Sequence, residues 1–273
     1  MSANAALTAP ATTTRTHSRL YWLIADTWVV TRRHLLHIPQ QPEQLFSATI
    51  QPIMFILLFV YCLGGAIDVP GMSYVNFLMA GIFVQSIVME GMTGASGLAM
   101  DLKRGIIDRF RTLPMSPAAA LTGPILSDVV RNLFAVVVMV TVGLLVGFRP
   151  DANPLEWLGA VGMLLLAGFT ISWIGTVVAL IVRDPEAVQI MAFVVLLPLS
   201  FASSAFVPVD TMPGWLQPIV RHQPVTVIVT TVRGLLINQP IGTAAWQAIG
   251  WCALITAVCL PLSIVLYRRV QQV

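Results

Sequence analysis

The chain contains a single lysine, Lys103, which sits in Leu102-Lys103-Arg104. A phosphate-cradling P-loop must end in Gly-Lys-Ser/Thr, so the sequence holds no Walker-type nucleotide site. Its four histidines, His17, His34, His37 and His222, give no metal-ligand set, although His34 and His37 share a helix face at i, i+3. Gly94-Ala95-Ser96-Gly97-Leu98 lacks the second glycine of a nucleophile elbow at its required place. No enzyme chemistry, metal or cofactor is therefore expected in this chain. What remains is ionisable groups inside apolar sequence, which are costly in lipid and mark function by default. Glu90 is the foremost. It is either a cavity-lining or proton-linked carboxylate, or one half of an ion pair with Arg131 or Arg104 that fixes two helices together. Asp128 and Arg131, at i and i+3, form a local pair. Pro198 lies in the middle of an apolar run, where a broken helix can line a pathway.

The elements that position these residues follow from composition. Of 273 residues, 57% are hydrophobic and 10% charged, and mean hydropathy is +0.83. A soluble core cannot absorb that much apolar surface, so the class is an all-α integral membrane protein. The 15 basic residues barely exceed the 12 acidic ones and form no long tract, which excludes a nucleic-acid partner. Cys62, Cys252 and Cys259 lie in or beside apolar runs without C-x-x-C spacing and read as small hydrophobes. No h-region precedes the first span, so no cleaved signal peptide is expected.

Crossing a hydrocarbon core takes about 20 apolar helical residues. Six runs qualify: about Leu45 to Gly65, Met72 to Met100, Pro124 to Phe148, Leu158 to Val182, Ala187 to Val209 and Ile241 to Tyr267. Lys and Arg favour cytoplasmic loops. Arg15, Arg19, Arg32 and Arg33 precede the first span. Lys103, Arg104, Arg109 and Arg111 follow the second, Arg183 the fourth, and Arg268 and Arg269 the sixth. The other side holds Arg149, Arg221 and Arg233, so both termini are predicted inside, with residues 268–273 a cytoplasmic tail. Small residues mark helix contacts: Gly168, Ser172, Gly175 and Ala179 in the fourth span, and Gly143 with Gly147 in the third. These stripes fit packing within the subunit or a dimer seam.

Three further segments are too polar or too broken to span. Residues 1–18 read as a disordered tail. Residues 19–38 form an amphipathic helix, either interfacial, as Trp22 and Trp28 favour, or soluble in the cytoplasm. Asp101 to Leu113 places Leu102, Ile106, Phe110 and Leu113 on one helical face, and Pro114 and Pro117 end it. That is a short cytoplasmic surface helix suited to docking. Residues 208–240 are apolar but cut by Pro213, Pro218 and Pro224, which fits re-entrant half-helices on the outer side, or a loop lying on the surface.

Lys103-Arg104-Gly105-Ile106-Ile107-Asp108-Arg109-Phe110-Arg111-Thr112-Leu113-Pro114-Met115 resembles type 2 ABC exporter permeases, specifically the daunorubicin-resistance permease family. Gln51-Pro52-Ile53-Met54-Phe55, Gly147-Phe148-Arg149-Pro150, Phe206-Val207-Pro208, Met212-Pro213-Gly214-Trp215-Leu216 and His222-Gln223-Pro224-Val225 are similar to the same family. The resemblance runs from about Arg19 to Arg269. It implies an exporter permease of a bacterial plasma membrane, with the six-span transmembrane domain over 45–267. Its implied partners are a cytoplasmic ABC ATPase that holds ATP and Mg²⁺, a second permease copy or paralogue, and membrane lipid. Its implied substrate is a hydrophobic or amphipathic drug, polyketide or lipid, which links it to antibiotic resistance. It also makes 101–113 the coupling helix, with Lys103, Arg104, Gly105, Ile106, Asp108, Arg109, Phe110, Arg111 and Leu113 as the ATPase contacts. Asp101-Leu102-Lys103-Arg104-Gly105 departs from the family's commoner paired glutamates. The rival readings are an ion-coupled carrier working through Glu90, which would show an inverted repeat that is not visible here, and a non-transporting scaffold.

Overall fold

The computed structural model describes residues 42–64, 69, 71–104 and 117–270. The predicted tail, the 19–38 helix and most of the predicted coupling helix, Gly105 to Leu113, lie outside the described residues. Among the described residues the structure is all helical, with no strand. Eight α-helices are present, named here α1 (Pro42–Leu58), α2 (Tyr74–Lys103), α3 (Pro117–Val146), α4 (Pro154–Val182), α5 (Pro185–Phe201), α6 (Gln217–His222), α7 (Pro224–Leu236) and α8 (Ala244–Val270).

Local sequence accounts for most boundaries. Proline opens α1, α3, α4, α5 and α7, where its missing N–H is no loss and its fixed φ suits a first turn. Asn153 and Glu156 form a reciprocal capping box on α4. The Asp184 side chain caps α5 by accepting from Ala187 N at 3.2 Å. Ser73 caps α2 in the same way, accepting from Asn76 N. Helices α2, α3, α4 and α8 are long and apolar enough to cross a membrane. The remaining apolar helices are shorter: α1 has 17 residues, continued by a five-residue π-helical turn, Phe59–Leu63, and α5 has 17.

The fifth apolar run is helical only to Phe201, well short of the predicted Val209. The Gln223 amide donates to the carbonyls of Leu199 and Ala202 and so satisfies groups that a further helical turn would have bonded. The chain then makes a buried turn, 203–206, in which Ser204 N donates to Thr226 Oγ1. The turn crosses α2 at Gly81, where a side-chain carbon would overlap the Ala205 carbonyl. Pro198 does not break α5. It is exposed and lies three residues before the helix end.

Helix α2 is the most buried of the long helices and α8 the least. Lipid offers no hydrophobic drive for association, so contact is made by close packing and hydrogen bonds. The small-residue stripe of α4 faces inward: Gly175 lies against Ala95, Gly168 against Asn132 and Ile87, and Ala179 is fully buried. Gly143 faces Met79. The α4 stripe and Gly143 therefore serve packing within the subunit, whereas Gly147 lies past the end of α3 at φ 108° with open space at its Cβ position. The large exposed residues, such as Val137, Leu145, Phe193, Val194, Leu254 and Val258, lie on α3, α5 and α8 and suit a lipid-facing perimeter.

Candidate functional site

Two polar features interrupt the apolar interior. The first is a charge cluster shared by α2, α3 and α4. Arg131 Nε lies against Glu90 Oε1, and Arg131 Nη2 donates to Asp128 Oδ1 at 2.8 Å. Ser172 Oγ donates to the other Asp128 oxygen at 3.3 Å. All three charged side chains are largely buried. Of the two partners open to Glu90 on sequence grounds, the structure brings it Arg131 and not Arg104. One turn along from Glu90, Gly94 lies directly on the Asp128 carboxylate, where a methyl group would collide. The cluster holds two carboxylates and one guanidinium, so Arg131 bridges two helices while also meeting its i−3 neighbour.

The second feature is a narrow cleft of about 40 Å³ that begins at the cluster. One face of α2 forms its long wall through Ile82, Gln85, Ser86, Met89, Glu90 and Thr93, spaced as i, i+3, i+4, i+7, i+8 and i+11. Gln51, Pro52 and Phe55 of α1 form the opposite wall, and Phe206, carried by the turn at Gly81, lines the end remote from the cluster. Phe206 stacks on Phe59 at 4.6 Å and on Phe201 at 4.9 Å, and Phe59 in turn stacks on Phe55 at 5.8 Å. Gln85 is buried and its Oε1 has no partner among the described residues. The lining thus sets five polar side chains, Gln51, Gln85, Ser86, Glu90 and Thr93, beside five apolar ones. Pro198 is not part of it.

At the cluster's end of the bundle, Asp101–Lys103 form the last turn of α2, continuous with it, and Arg104 is the helix cap. Lys103 Nζ bonds Asp184 Oδ1 at 2.8 Å and so joins the end of α2 to the cap of α5. The Lys103 ammonium, and then the Ala187 N–H, hold the Asp184 carboxyl below its ordinary range. At the opposite end, Arg233 of α7 is buried without a carboxylate partner among the described residues. Its Nε donates to Phe77 O at 3.1 Å, its Nη2 donates to Ser204 O at 2.7 Å, and its guanidinium stands 3.7 Å over the Phe77 ring.

Sequence reasoning singled out Glu90, Asp128 and Arg131 but not Gln51, Gln85, Phe206 or Arg233 as parts of a site. Gln85 and Arg233 each interrupt an apolar stretch, a signal as strong as that of Glu90. Phe206 carries no such signal, because only the turn after α5 brings it to the cleft.

Span-length apolar helices with a charge cluster buried between them define an integral membrane protein. The chain belongs to the ABC-2 type transporter family, whose model matches residues 25–237. It is 37% identical, over 87% of its length and 84% of the relative's, to the daunorubicin resistance ABC transporter permease protein DrrB1 of Streptomyces coeruleorubidus. It is 30% identical to the "Probable doxorubicin resistance ABC transporter permease protein DrrC" of Mycobacterium tuberculosis, over 90% of this chain and 89% of that protein. It is 23% identical to the doxorubicin resistance permease DrrB of the same species, over 89% of each. The protein is a membrane permease subunit of an ATP-binding-cassette exporter.

Proposed function

We propose that the cleft between α1, α2 and Phe206 is the substrate path, and that the substrate is an amphiphilic drug or lipid. The observation that carries this reading is the lining: a line of polar groups on α2 faces the stacked phenylalanines across a narrow cleft, which must widen to pass a substrate. The resistance named for the relatives suits such a substrate. The pairing of Glu90 with Arg131 removes the free carboxylate that an ion-coupled carrier would need, which favours drive from a separate ATPase.

In this reading the chain crosses the membrane six times. Helices α1 and α5 complete the four longer ones, both termini lie in the cytoplasm, and α6 and α7 form the outer re-entrant segment. Residues 101–113 seat in the ATPase, with Lys103, Arg104, Gly105, Ile106, Asp108, Arg109, Phe110, Arg111 and Leu113 as the contacts. The apolar side chains enter a groove while the arginines steer toward acidic residues. A second permease copy or paralogue completes the complex, and the partner ATPase, not this chain, holds ATP and Mg²⁺. The Lys103–Asp184 bridge gives movement of that segment a direct route to α5, and α2 itself carries the cleft wall. Displacement of α2 against α1 would then widen the cleft.

Phe110→Asp tests the coupling. It should abolish transport and ATPase copurification while membrane insertion, read by protease protection, stays intact. Normal export by this variant would remove the coupling assignment.

A further inference from the structure

We propose that Arg233 is a positioning residue, a latch that holds the outer end of the cleft shut through the 203–206 turn. The inference rests on the cleft being the substrate path. Phe206 is buried where it lines the cleft's end, the place for a plug, and its position is set by the turn that carries it. That turn is held at two backbone carbonyls. Arg233 Nη2 donates to Ser204 O, and Tyr74 Oη donates to Phe206 O at 3.4 Å. The same guanidinium holds α2 through Phe77 O and the Phe77 ring. One side chain of α7 thus ties the gate-bearing turn to the helix that forms the cleft wall.

The chemistry makes this tie conditional. A buried guanidinium with no carboxylate partner depends on the carbonyls and the ring it meets. It keeps both carbonyl bonds only while the turn and α2 stay together. If the turn swings away with Phe206, the guanidinium faces the opened cleft and exchanges protein acceptors for water. Each state satisfies the charge and an intermediate one does not, so the closed and open positions are two discrete arrangements, as a gate requires. Lysine cannot replace this, since an ammonium on a flexible stem does not present the planar fork that reaches two carbonyls and stacks on the ring.

The test measures access to the cleft from outside, in intact cells expressing the permease with its ATPase. The chain carries Cys62→Ala, Cys252→Ala and Cys259→Ala, plus either Ser86→Cys in the cleft or Ala167→Cys in the packed core. A membrane-impermeant maleimide reads access. Phe206→Ala, which removes the plug, should speed Ser86→Cys labelling. Arg233→Met should speed it by about tenfold or more, as expected for the loss of charge-assisted bonds. Arg233→Lys should fall between Arg233→Met and the parent, and Ala167→Cys should remain unlabelled throughout. Faster labelling at both cysteines would show general loosening and overturn the latch. If Phe206→Ala speeds labelling but the Arg233 variants do not, the latch fails and the cleft reading stands. No effect of Phe206→Ala sinks the cleft reading and the latch with it. Failure of both Arg233 variants to accumulate in membranes would assign Arg233 to folding and also overturn the proposal.

Discussion

The charge cluster makes an ordered prediction, because its three members are not equivalent. Arg131→Gln leaves Glu90 and Asp128, both largely buried, without the cation that lies between them. Breaking a buried pair by removing one partner costs about 3–5 kcal/mol. Glu90→Gln is milder. The Arg131–Asp128 bond survives, the remaining pair is neutral, and the glutamine carbonyl still accepts from Arg131. The loss is then nearer the value of one charged hydrogen bond, about 1.5–3 kcal/mol. With roughly 2–4 °C per kcal/mol for a chain of 150–250 residues, Arg131→Gln should lower the melting temperature by about 10 °C and Glu90→Gln by about half as much. The assay is thermal unfolding of the detergent-solubilised complex, followed by fluorescence of the buried Trp173. The double variant Glu90→Gln/Arg131→Gln should be less destabilised than the sum of the two single variants, since it removes one uncompensated carboxylate along with the cation. If Glu90→Gln proved the more damaging single change, or the two were additive, the view of Arg131 as a shared counter-ion would be wrong.

Two further outcomes follow from the packing. Gly94→Ala should destabilise the bundle by about 1–3 kcal/mol, because the added methyl group meets the Asp128 carboxylate and forces α2 from α3. A melting temperature within 1 °C of the parent, at about the precision expected for a neutral change, would refute that close approach. The Lys103–Asp184 contact should be insensitive to pH across the neutral range. The Asp184 carboxyl is held down by its partner, so its contribution is complete above the ordinary carboxylate value and fades only as pH falls through the lowered one. The difference between the parent and Asp184→Asn in a pH series of melts should stay flat from pH 8 to about 5 and shrink below about 4. A difference that vanished near pH 6 would contradict the assignment.

Much of this was legible in the sequence, because lipid imposes simple rules. Uncharged runs located the four span-length helices and the shorter apolar α1 and α5, and the cost of a charge in lipid singled out Glu90, Asp128 and Arg131 before any geometry was known. The choice of Arg131 over Arg104 for Glu90 was legible only in part: Arg104 lies about 21 Å away along a continuous helix, but only the crossing of α2 and α3 at Gly94 brings Arg131 to it. The end of α5 was also misjudged. Composition remains apolar to Val209, but the helix stops where Gln223, 21 and 24 residues beyond Ala202 and Leu199, returns to cap their carbonyls. The same long-range return carries Phe206 to the cleft and Arg233 to Phe77, which no local periodicity encodes. Arg233 was counted among the loop charges that set orientation, although its buried position gives it a different role.

The prolines that open five of the eight helices bear on how such a bundle can move. A proline at a first helical position cannot donate to a preceding turn, and it biases the residue before it away from helical geometry. A helix that begins so cannot grow backward by more than about a turn. At α4, α5 and α7 a stroke is therefore carried by tilting and sliding of the helix more than by its lengthening at that end.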